Sequence, residues 1–191
     1  PNVGVYTYEV TETAGTTAGV TYNTNNMKLV VTVAHGDGDA LVETYNFYPD
    51  GTNKGTEIEN VYDAGSLTVT KEVTGQLGDK NKKFDITVTF NAPAGKTVKS
   101  TITLPDGSQI LPTEWKEDTV TKTISLKDGE SVEFMNVPYG VTYTVEEKDS
   151  QGYQASYATG VILHSAPYIL LLAGVGAAAV AFLILRKHRE V

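Results

Sequence analysis

Between Val3 and about Val145, short runs of alternating apolar and polar residues constrain the fold more than any other feature of the sequence. The runs are rich in Thr, Val, Tyr and Ile. They are separated by turn sequences, of which Tyr48-Pro49-Asp50-Gly51 and Leu104-Pro105-Asp106-Gly107 place proline where a type I turn favours it. No stretch before position 165 has a helical period. The pattern therefore predicts an all-β protein built from sandwiches rather than from a parallel sheet.

The expected strands cover most of this region. They are 4–12, 27–34, 41–48, 57–62, 66–74, 83–90, 97–103, 119–126, 131–135 and 140–147. A weak repeat divides them, because Tyr8-Glu9-Val10-Thr11-Glu12 recurs as Tyr143-Thr144-Val145-Glu146-Glu147. We therefore expect two β-sandwich domains in tandem, over residues 1–63 and 64–155.

The composition excludes several functional classes. Residues 1–160 carry 22 acidic residues and 12 lysines, with no arginine, so nucleic acid is not an expected partner. No cysteine is present, so disulfides do not stabilise the domains. His35, His164 and His188 lie too far apart to match a metal-ligand spacing, and neither a metal nor a cofactor is expected.

The last thirty residues differ abruptly from the rest. Tyr168 to Leu185 is a run of eighteen uncharged residues, long enough as a helix to span the hydrocarbon core of a bilayer. Arg186, Lys187 and Arg189 follow it and predict a cytoplasmic C-terminus with the β-region outside. Residues 161–191 are thus predicted to form one transmembrane helix and a basic tail.

The chain begins at Pro1 without a secretion signal. Because a protein with a C-terminal anchor needs such a signal, we expect the sequence to be a mature form or a fragment.

Four polar residues interrupt the apolar faces of expected strands. Lys71 shares a face with Leu67 and Val69, and Asn60 lies between Ile58 and Tyr62. Glu12 and Glu147 end the two Tyr-x-Val-x-Glu repeats on their apolar face. Unpaired polar groups are costly in a core, so each residue alone is explained most simply by a strand end or an ordinary hydrogen bond.

Together the four residues form a reactive set. Burial favours the uncharged amine of lysine, which is a nucleophile, and the protonated form of glutamate. A neutral glutamic acid donates a proton to a carboxamide and relays protons as ammonia leaves. The product is a Lys–Asn isopeptide bond, which crosslinks a chain that has no cysteine.

These residues resemble those of streptococcal-type pilin isopeptide-linkage domains, which are relatives of the Ig-like, CnaB-like sandwiches of Gram-positive adhesins. The resemblance rests on Leu67-Thr68-Val69-Thr70-Lys71-Glu72-Val73, on Ile58-Glu59-Asn60-Val61-Tyr62 and on the two Tyr-x-Val-x-Glu repeats. It covers residues 1–150 and continues into the tail.

The resemblance implies a role for each of the four residues. Glu12 is the acid and Asn60 the acceptor of the first domain, whose lysine is expected upstream of Pro1. Lys71 is the nucleophile and Glu147 the acid of the second domain. Its acceptor is expected on a later strand, but residues 150–160 contain no asparagine, and Asn136 precedes the repeat.

Two explanations account for these incomplete sets. Either the chain is truncated at its front and carries an internal deletion near 150–158, or strands from 1–63 complete the second domain so that Asn60 meets Lys71. We favour the first. For Asn60 to meet Lys71 in one sandwich, the ten residues between them would have to reverse the chain and place both on adjacent inner strands.

The segment Ser156-Tyr157-Ala158-Thr159-Gly160 precedes the apolar run and resembles a cell-wall sorting signal that lacks its proline. The resemblance implies that a sortase cleaves between Thr159 and Gly160. Thr159 is then joined to peptidoglycan or to another pilin subunit. Lys54 is a candidate for the lysine that accepts a neighbouring subunit, although turn lysines are usually only solvated.

The sequence therefore predicts a structural cell-wall protein, a pilin subunit or adhesin stalk, rather than an enzyme. No nucleophile triad or phosphate loop is present. The alternatives are a module that binds a host ligand, a wall-anchored hydrolase fragment, and a single-pass membrane protein without covalent attachment to the wall.

Overall fold

The computed structural model describes residues 2–76, 78–147, 156–163 and 167–174. Within these residues the regular structure is β-strand, apart from two single-turn 3-10 helices at Asp37–Asp39 and Pro112–Glu114. The all-β class expected from the alternation is confirmed. The chain divides into two compact units, one of residues 1–15 and 20–62, the other of residues 16–19 and 63–191.

The first unit contains a three-stranded and a two-stranded antiparallel sheet. Its strands are β1 Gly4–Val10, β2 Val20–Thr21, β3 Met27–His35, β4 Leu41–Tyr48 and β5 Val61–Tyr62. The larger sheet has the order β1-β3-β4, and β2 pairs with β5. Met27 and Val33 are buried in this unit, but Tyr8 and Tyr45 on the same face of the sheet are 52% and 61% exposed.

The second unit is a sandwich of two sheets. Its strands are β6 Ala64–Val73, β7 Phe84–Asn91, β8 Ile102–Thr103, β9 Gln109–Ile110, β10 Thr119–Leu126, β11 Ser131–Pro138, β12 Thr142–Glu147, β13 Ser156–Val161 and β14 Pro167–Gly174. One sheet has the order β10-β7-β12-β13 and the other has the order β14-β6-β11-β8-β9.

A single hydrophobic core joins the two sheets of the second unit. Val69 on β6 and Phe134 on β11 contribute from one sheet, and Phe90 on β7 and Val145 on β12 from the other, all of them fully buried. Phe90 and Phe134 meet edge to face across the core, with ring centroids 5.3 Å apart. Every apolar side chain named here falls on the inward phase of its strand's alternation.

Residues 16–19 precede β2 in the chain but belong to the second unit. Thr97 donates its N–H to the Thr16 carbonyl at 2.7 Å and accepts from the Ala18 N–H at 2.9 Å. Ala18 is 2% exposed within the core of the second unit. The boundaries predicted from the sequence, 1–63 and 64–155, do not assign residues 16–19 to the second unit, because four residues are too few to form a periodic pattern.

The strand predictions differ from the structure at the two-residue strands and at the C-terminal strands β13 and β14. The expected strands 57–62 and 97–103 are reduced to the two-residue strands β5 and β8. In addition, β2, β9, β13 and β14 were not predicted. The two-residue strands are defined by pairing with distant residues, and a local window carries no information on such pairing.

Part of the predicted transmembrane helix is a strand in the structure. Pro167–Gly174 is strand β14, which pairs in parallel with β6. A short apolar run is compatible with a strand as well as with a helix, and periodicity does not separate the two. Residues 175–191, including the basic tail, lie outside the described residues, and no helix within the described ranges is long and apolar enough to cross a membrane.

Candidate functional site

A buried ion pair connects the two sheets of the second unit. Lys71 Nζ lies 3.0 Å and 2.8 Å from the two carboxylate oxygens of Glu147. The two side chains are 0% and 1% exposed. Lys71 is on β6 and Glu147 is on β12, so the pair crosses from one sheet to the other. Facing sheets lie about 10 Å apart, a gap that the lysine and glutamate side chains span together.

The alternation of β6 and β12 accounts for the position of both side chains. Lys71 takes the inward phase that Leu67 and Val69 define, and Glu147 takes that of Tyr143 and Val145. The Lys71 and Glu147 side chains therefore both point into the core, as their sequence spacing predicts. The local sequence alone does not specify that the two strands bring these residues to the same end of the sandwich.

Phe84 completes the surroundings of the lysine, and it was not identified from the sequence. Lys71 Nζ lies 4.3 Å from the centroid of the Phe84 ring, which is 1% exposed. An aromatic face at this distance attracts a cationic ammonium group. Phe84 shares its inward phase with Ile86 and Val88, so the alternation of β7 predicts that it is buried in the core. The alternation does not predict that it lies beside Lys71.

A turn fixes the end of β6 beside the pair. The Gly129 N–H donates to the Lys71 carbonyl at 2.8 Å, and the Lys71 N–H donates to the Glu130 carbonyl at 3.0 Å. The Asp128 carboxylate accepts a hydrogen bond from the Val73 N–H at 2.7 Å and forms an ion pair with Lys80 at 3.1 Å. The hydrogen bond from Val73, followed by that from Lys80, lowers the pKa of Asp128 below its ordinary value.

The lowered pKa of Asp128 predicts an acid-dependent contribution to stability. Because its folded-state pKa is depressed, the contribution is present above the ordinary aspartate pKa of about 4 and is lost as the pH falls through the lowered value. The urea midpoint of Asp128→Asn is therefore expected to lie below that of the wild type at neutral pH. The difference should shrink only at distinctly acidic pH, and a constant difference down to about pH 2 would contradict the assignment.

In the first unit the structure brings Glu12 and Asn60 together. Asn60 Nδ2 donates to Glu12 Oε1 at 2.7 Å, and the Asn23 N–H donates to Asn60 Oδ1 at 2.8 Å. Glu12 Oε2 is buried and has no hydrogen-bond partner among the described residues. The carboxamide oxygen is thus polarised by a backbone N–H, whereas the sequence-based mechanism assigned this contact to the glutamate.

The inward orientation expected for Asn60 is wrong. Asn60 is exposed, and its flanking residues Ile58 and Tyr62 are 43% and 41% exposed. Residues 57–60 do not form a strand, so no alternation is imposed on them. The hydrogen bonds of Asn60 to Glu12 and Asn23 lie within the first unit, and those of Lys71 to Glu147 lie within the second.

The remaining predicted residues lie on the surface or at a sheet edge. Lys54 is exposed in the loop after β4, where Asp50 accepts hydrogen bonds from Thr52 and Asn53. Thr159 and Gly160 are not in a linker but in β13, where they pair with Thr144 and Tyr143 of β12. No group of three or more potential metal-binding side chains occurs in the described part of the chain.

The sequence matches two protein families, one in each unit. Residues 65–166, more than half of the chain, match the family described as a domain of unknown function (DUF7601). Residues 1–63 match FctA, described as a Spy0128-like isopeptide containing domain. The chain belongs to the DUF7601 family, and the isopeptide-domain match is confined to its first 63 residues. The match of residues 1–63 to an isopeptide containing domain, together with the similarity to streptococcal pilins, confirms the resemblance drawn from the Lys71 segment and the two Tyr-x-Val-x-Glu repeats.

Three streptococcal proteins are similar to this chain. A pilin of Streptococcus pyogenes serotype M1 is 34% identical over 165 residues, which are 83% of this chain and 48% of the pilin. The pilus tip adhesin Cpa of Streptococcus pyogenes is 33% identical over 93 residues, 47% of this chain and 12% of the adhesin. The crystal structure of the major pilin from Streptococcus pyogenes has a TM-score of 0.59 at 25% identity, covering 91% of this chain and 70% of that one.

This family member therefore spans about half the length of the curated pilin that it matches, and a smaller part of the adhesin.

The contact between Gly160 and Tyr143 yields a stability prediction for the second unit. A Cβ atom at Gly160 would lie 2.5 Å from Tyr143 Cζ and 2.8 Å from Cε1, and the ring is 6% exposed in the core. Gly160→Ala is therefore expected to destabilise the unit by about 1–3 kcal/mol, the usual cost of overpacking. Urea denaturation measures this, with Gly107→Ala as a control at a position where a Cβ meets nothing within 4 Å.

Gly107 has a φ of +84°, so its substitution measures the conformational cost of alanine without a packing clash. The Gly160→Ala effect should exceed this cost and should fall when Tyr143 is also replaced by valine. Equal effects of Gly160→Ala with and without Tyr143 would contradict the packing argument.

Proposed function

We propose that this chain is part of a Gram-positive surface fibre, either a pilin subunit or an adhesin stalk, and that its role is structural rather than enzymatic. The supporting observation is the buried Lys71–Glu147 pair, which joins the two sheets of a pilin-like sandwich. A buried charge pair stabilises a fold little relative to apolar packing, so its retention favours a chemical role. That role is intramolecular isopeptide formation, for which the acceptor carboxamide has to come from outside the described residues.

In this chemistry Lys71 is the nucleophile and Glu147 is the proton relay. The lysine first transfers a proton to the carboxylate, giving an amine and a carboxylic acid. The amine then attacks a carboxamide carbon, an N–C bond forms, and the carboxamide C–N bond breaks. The leaving nitrogen takes a proton from the acid and departs as ammonia, while the attacking nitrogen gives up one of its protons to the carboxylate, so that Glu147 ends protonated.

The first unit carries the complementary half of the same chemistry. Asn60 supplies the carboxamide and Glu12 the proton relay, and a lysine amine from outside the described residues is the co-reactant. The Asn23 N–H, 2.8 Å from the carboxamide oxygen, stabilises the negative charge that develops there during attack. Each unit thus contains two members of a three-residue set.

Surface attachment is proposed from the sorting signal at 156–160. A sortase breaks the Thr159–Gly160 amide and transfers the Thr159 acyl group to an amine of peptidoglycan or of another pilin subunit. Lys54, exposed after β4, is a candidate amine on the receiving subunit. The cell surface and cell wall are then the site of action, with the N-terminus outside.

Before that transfer, we propose that the apolar run from Tyr168 to Leu185 tethers the chain to the membrane. A single segment in hydrocarbon must satisfy its backbone hydrogen bonds internally, so it must be a helix. In β14 the same residues from Pro167 to Gly174 pair with β6 instead. The tether and β14 are therefore alternative conformations of one segment.

Expression of the chain, behind a secretion signal, in a pilus-forming Gram-positive host tests this function. The expected result is wall-associated, detergent-resistant species whose crosslinked peptides end in Thr159 when they are digested and sequenced by mass spectrometry. Thr159→Ala is the matched control and should leave the chain in the membrane fraction. Recovery of the wild type only as a membrane-bound monomer would refute the sortase step.

A second candidate function is ligand binding by the first unit. On one face of its three-stranded sheet, Tyr6, Tyr8 and Tyr45 are 37%, 52% and 61% exposed. Exposed aromatic groups of this kind are enriched at binding surfaces. Serine replacement of Tyr8 and Tyr45 should reduce adhesion to host cells, without changing wall attachment, if this candidate is correct.

A further inference from the structure

We propose that folding of the second unit sequesters the sorting signal, so that the Thr159–Gly160 bond is available to a sortase only while β13 is detached. This proposal rests on the sortase step proposed above and concerns its regulation. It assigns β13 two exclusive states, one in which it is a strand of the sandwich and one in which it is a substrate.

The pairing of β13 is the first observation. All six residues of β13 pair with β12 in antiparallel register, from Glu147 opposite Ser156 to Thr142 opposite Val161. The predicted cleavage point lies in the middle of this ladder. Beyond the strand, the Ile162 N–H donates to the Val141 carbonyl at 2.8 Å, and the Ile162 carbonyl accepts the Gly140 N–H at 2.9 Å.

The burial of side chains on both sides of the bond is the second observation. Ala158 is 3% exposed and Ile162 is 0% exposed, and both belong to the hydrophobic core. Gly160 lies against the ring of Tyr143, so close that no side chain fits there. The residues that flank the bond thus contribute to the fold, whereas a signal in a free linker would have no contacts to lose.

Cleavage requires these contacts to break. A peptide-cleaving enzyme binds several residues on each side of the bond in an extended form, and it reaches them in a folded protein only when the segment opens. β13 is the edge strand of its sheet, so opening disrupts one ladder, but it also removes Ala158 and Ile162 from the core. The cleavage rate should therefore follow the population of the open form.

The same argument couples the signal to the membrane tether. In the tethered state proposed above, the apolar run does not form β14 and so does not pair with β6. Extraction of the run into the sandwich would allow β13 and β14 to pair with β12 and β6. The chain is then a substrate before this rearrangement and a resistant, fully paired domain after it.

Amide hydrogen exchange on the purified full chain tests sequestration without any sortase. The Thr159 to Ile162 region, followed by mass spectrometry, is expected to exchange at least about 100-fold more slowly than in a synthetic peptide of residues 152–165. Chymotrypsin provides a second probe, because it cleaves after Tyr157, whose side chain is 60% exposed. Cleavage at that bond should be at least about 10-fold slower in the folded chain than in the peptide.

Two variants outside the five signal residues separate opening from sequence recognition. Ile162→Ala removes a fully buried side chain and should accelerate both exchange and cleavage at Tyr157, whereas Leu163→Ala, at a position 48% exposed, should change neither. In synthetic peptides of residues 152–165, the two substitutions should have equal effects on hydrogen exchange and on cleavage at Tyr157. The wild-type exchange measurement remains decisive if Ile162→Ala fails to fold.

Sortase assays on the same molecules distinguish the two proposals. Processing of the peptide but not of the folded chain, with partial recovery in Ile162→Ala, is the expected result. A peptide that no sortase processes would overturn the sorting function. The exchange data would still test whether folding sequesters residues 156–160. A folded chain whose 157–162 amides exchange as fast as the peptide, or that is processed equally fast, would overturn sequestration itself.

Discussion

Glu147→Gln in the full chain is expected to lower the free energy of unfolding of the second unit by about 3–5 kcal/mol. The substitution leaves the shape of the side chain nearly unchanged but removes the charge that faces Lys71 Nζ at 2.8 Å and 3.0 Å. Lys71 is 0% exposed, so water cannot replace the lost partner. The urea midpoint measured by fluorescence of the single tryptophan, Trp115, reports the loss in this unit.

The reciprocal and double variants distinguish a charge effect from a packing effect. Lys71→Met alone should cost a similar amount, because it strands the Glu147 carboxylate. The double variant Lys71→Met with Glu147→Leu should return to within about 1 kcal/mol of the wild type or exceed it, as apolar replacement of a buried pair often does. Additive losses in the double variant would contradict this account.

The surface pair of Lys80 with Asp128 supplies the matched control. Its atoms lie 3.1 Å apart, but the Lys80 side chain is 69% exposed. Lys80→Met should therefore change stability by less than about 0.5 kcal/mol. Comparable losses at Lys80 and Glu147 would mean that burial does not determine the strength of the Lys71 pair.

Alternation in the sequence specified much of this fold, because the burial of a strand residue depends on its local phase. Val69 and Lys71 are buried as the phase of β6 predicts, and so are Val145 and Glu147 on β12. The phase does not determine which strands are neighbours. The contact between Lys71 and Phe84 arises from tertiary packing, and no local pattern contained it.

Failures occurred where the local pattern was ambiguous. Residues 168–174 lie in the eighteen-residue uncharged run from Tyr168 to Leu185, whose length and hydropathy suited a membrane helix, although the structure shows strand β14 here. Asn60 was placed inward by the same period-two argument that succeeded for Lys71, but residues 57–60 are not a strand, and the argument does not apply to them. Thr159 and Gly160 matched a sorting motif and were not recognised as part of β13.

Introduction of a carboxamide on β14 is expected to create a covalent bond in this chain. The register of β14 with β6 places residue 172 opposite Lys71. Neighbouring strands are about 4.8 Å apart, so an asparagine introduced at 172 is within reach of a lysine amine on the paired strand. Leu172→Asn therefore supplies the third member of the set that Lys71 and Glu147 begin.

The expected product is an isopeptide bond between Lys71 and the asparagine introduced at position 172, formed with the loss of one ammonia. Lys71 Nζ bonds to the carboxamide carbon, the C–Nδ2 bond breaks, and Glu147 carries the proton to the leaving nitrogen. Intact-mass measurement of Leu172→Asn should give a mass lower by one ammonia than the variant's calculated mass, and digestion should yield a branched peptide. The crosslinked chain should also unfold at a higher temperature, because the bond restricts its unfolded state.

Three matched chains identify the cause of any bond. Leu171→Asn places the carboxamide one residue away, opposite Thr70, and should retain its ammonia because a one-residue shift reverses the face of the strand. Leu172→Asn combined with Lys71→Met, or with Glu147→Gln, should also remain at the calculated mass. Ammonia loss in the Lys71→Met chain would point to a different lysine, and no loss in any chain would mean that β14 does not hold this register.

The result also bears on why the described part of the second unit places no acceptor beside its lysine and glutamate. If Leu172→Asn forms the bond, then the Lys71 and Glu147 side chains are already arranged for reaction, and the described part of the unit lacks only a carboxamide at the edge of its sheet. β14 then occupies the edge at which an acceptor strand would pair. Strand β14 would in that case complete the sandwich by main-chain pairing with β6 alone. It would do so at the position where an isopeptide bond would otherwise link the acceptor strand to Lys71.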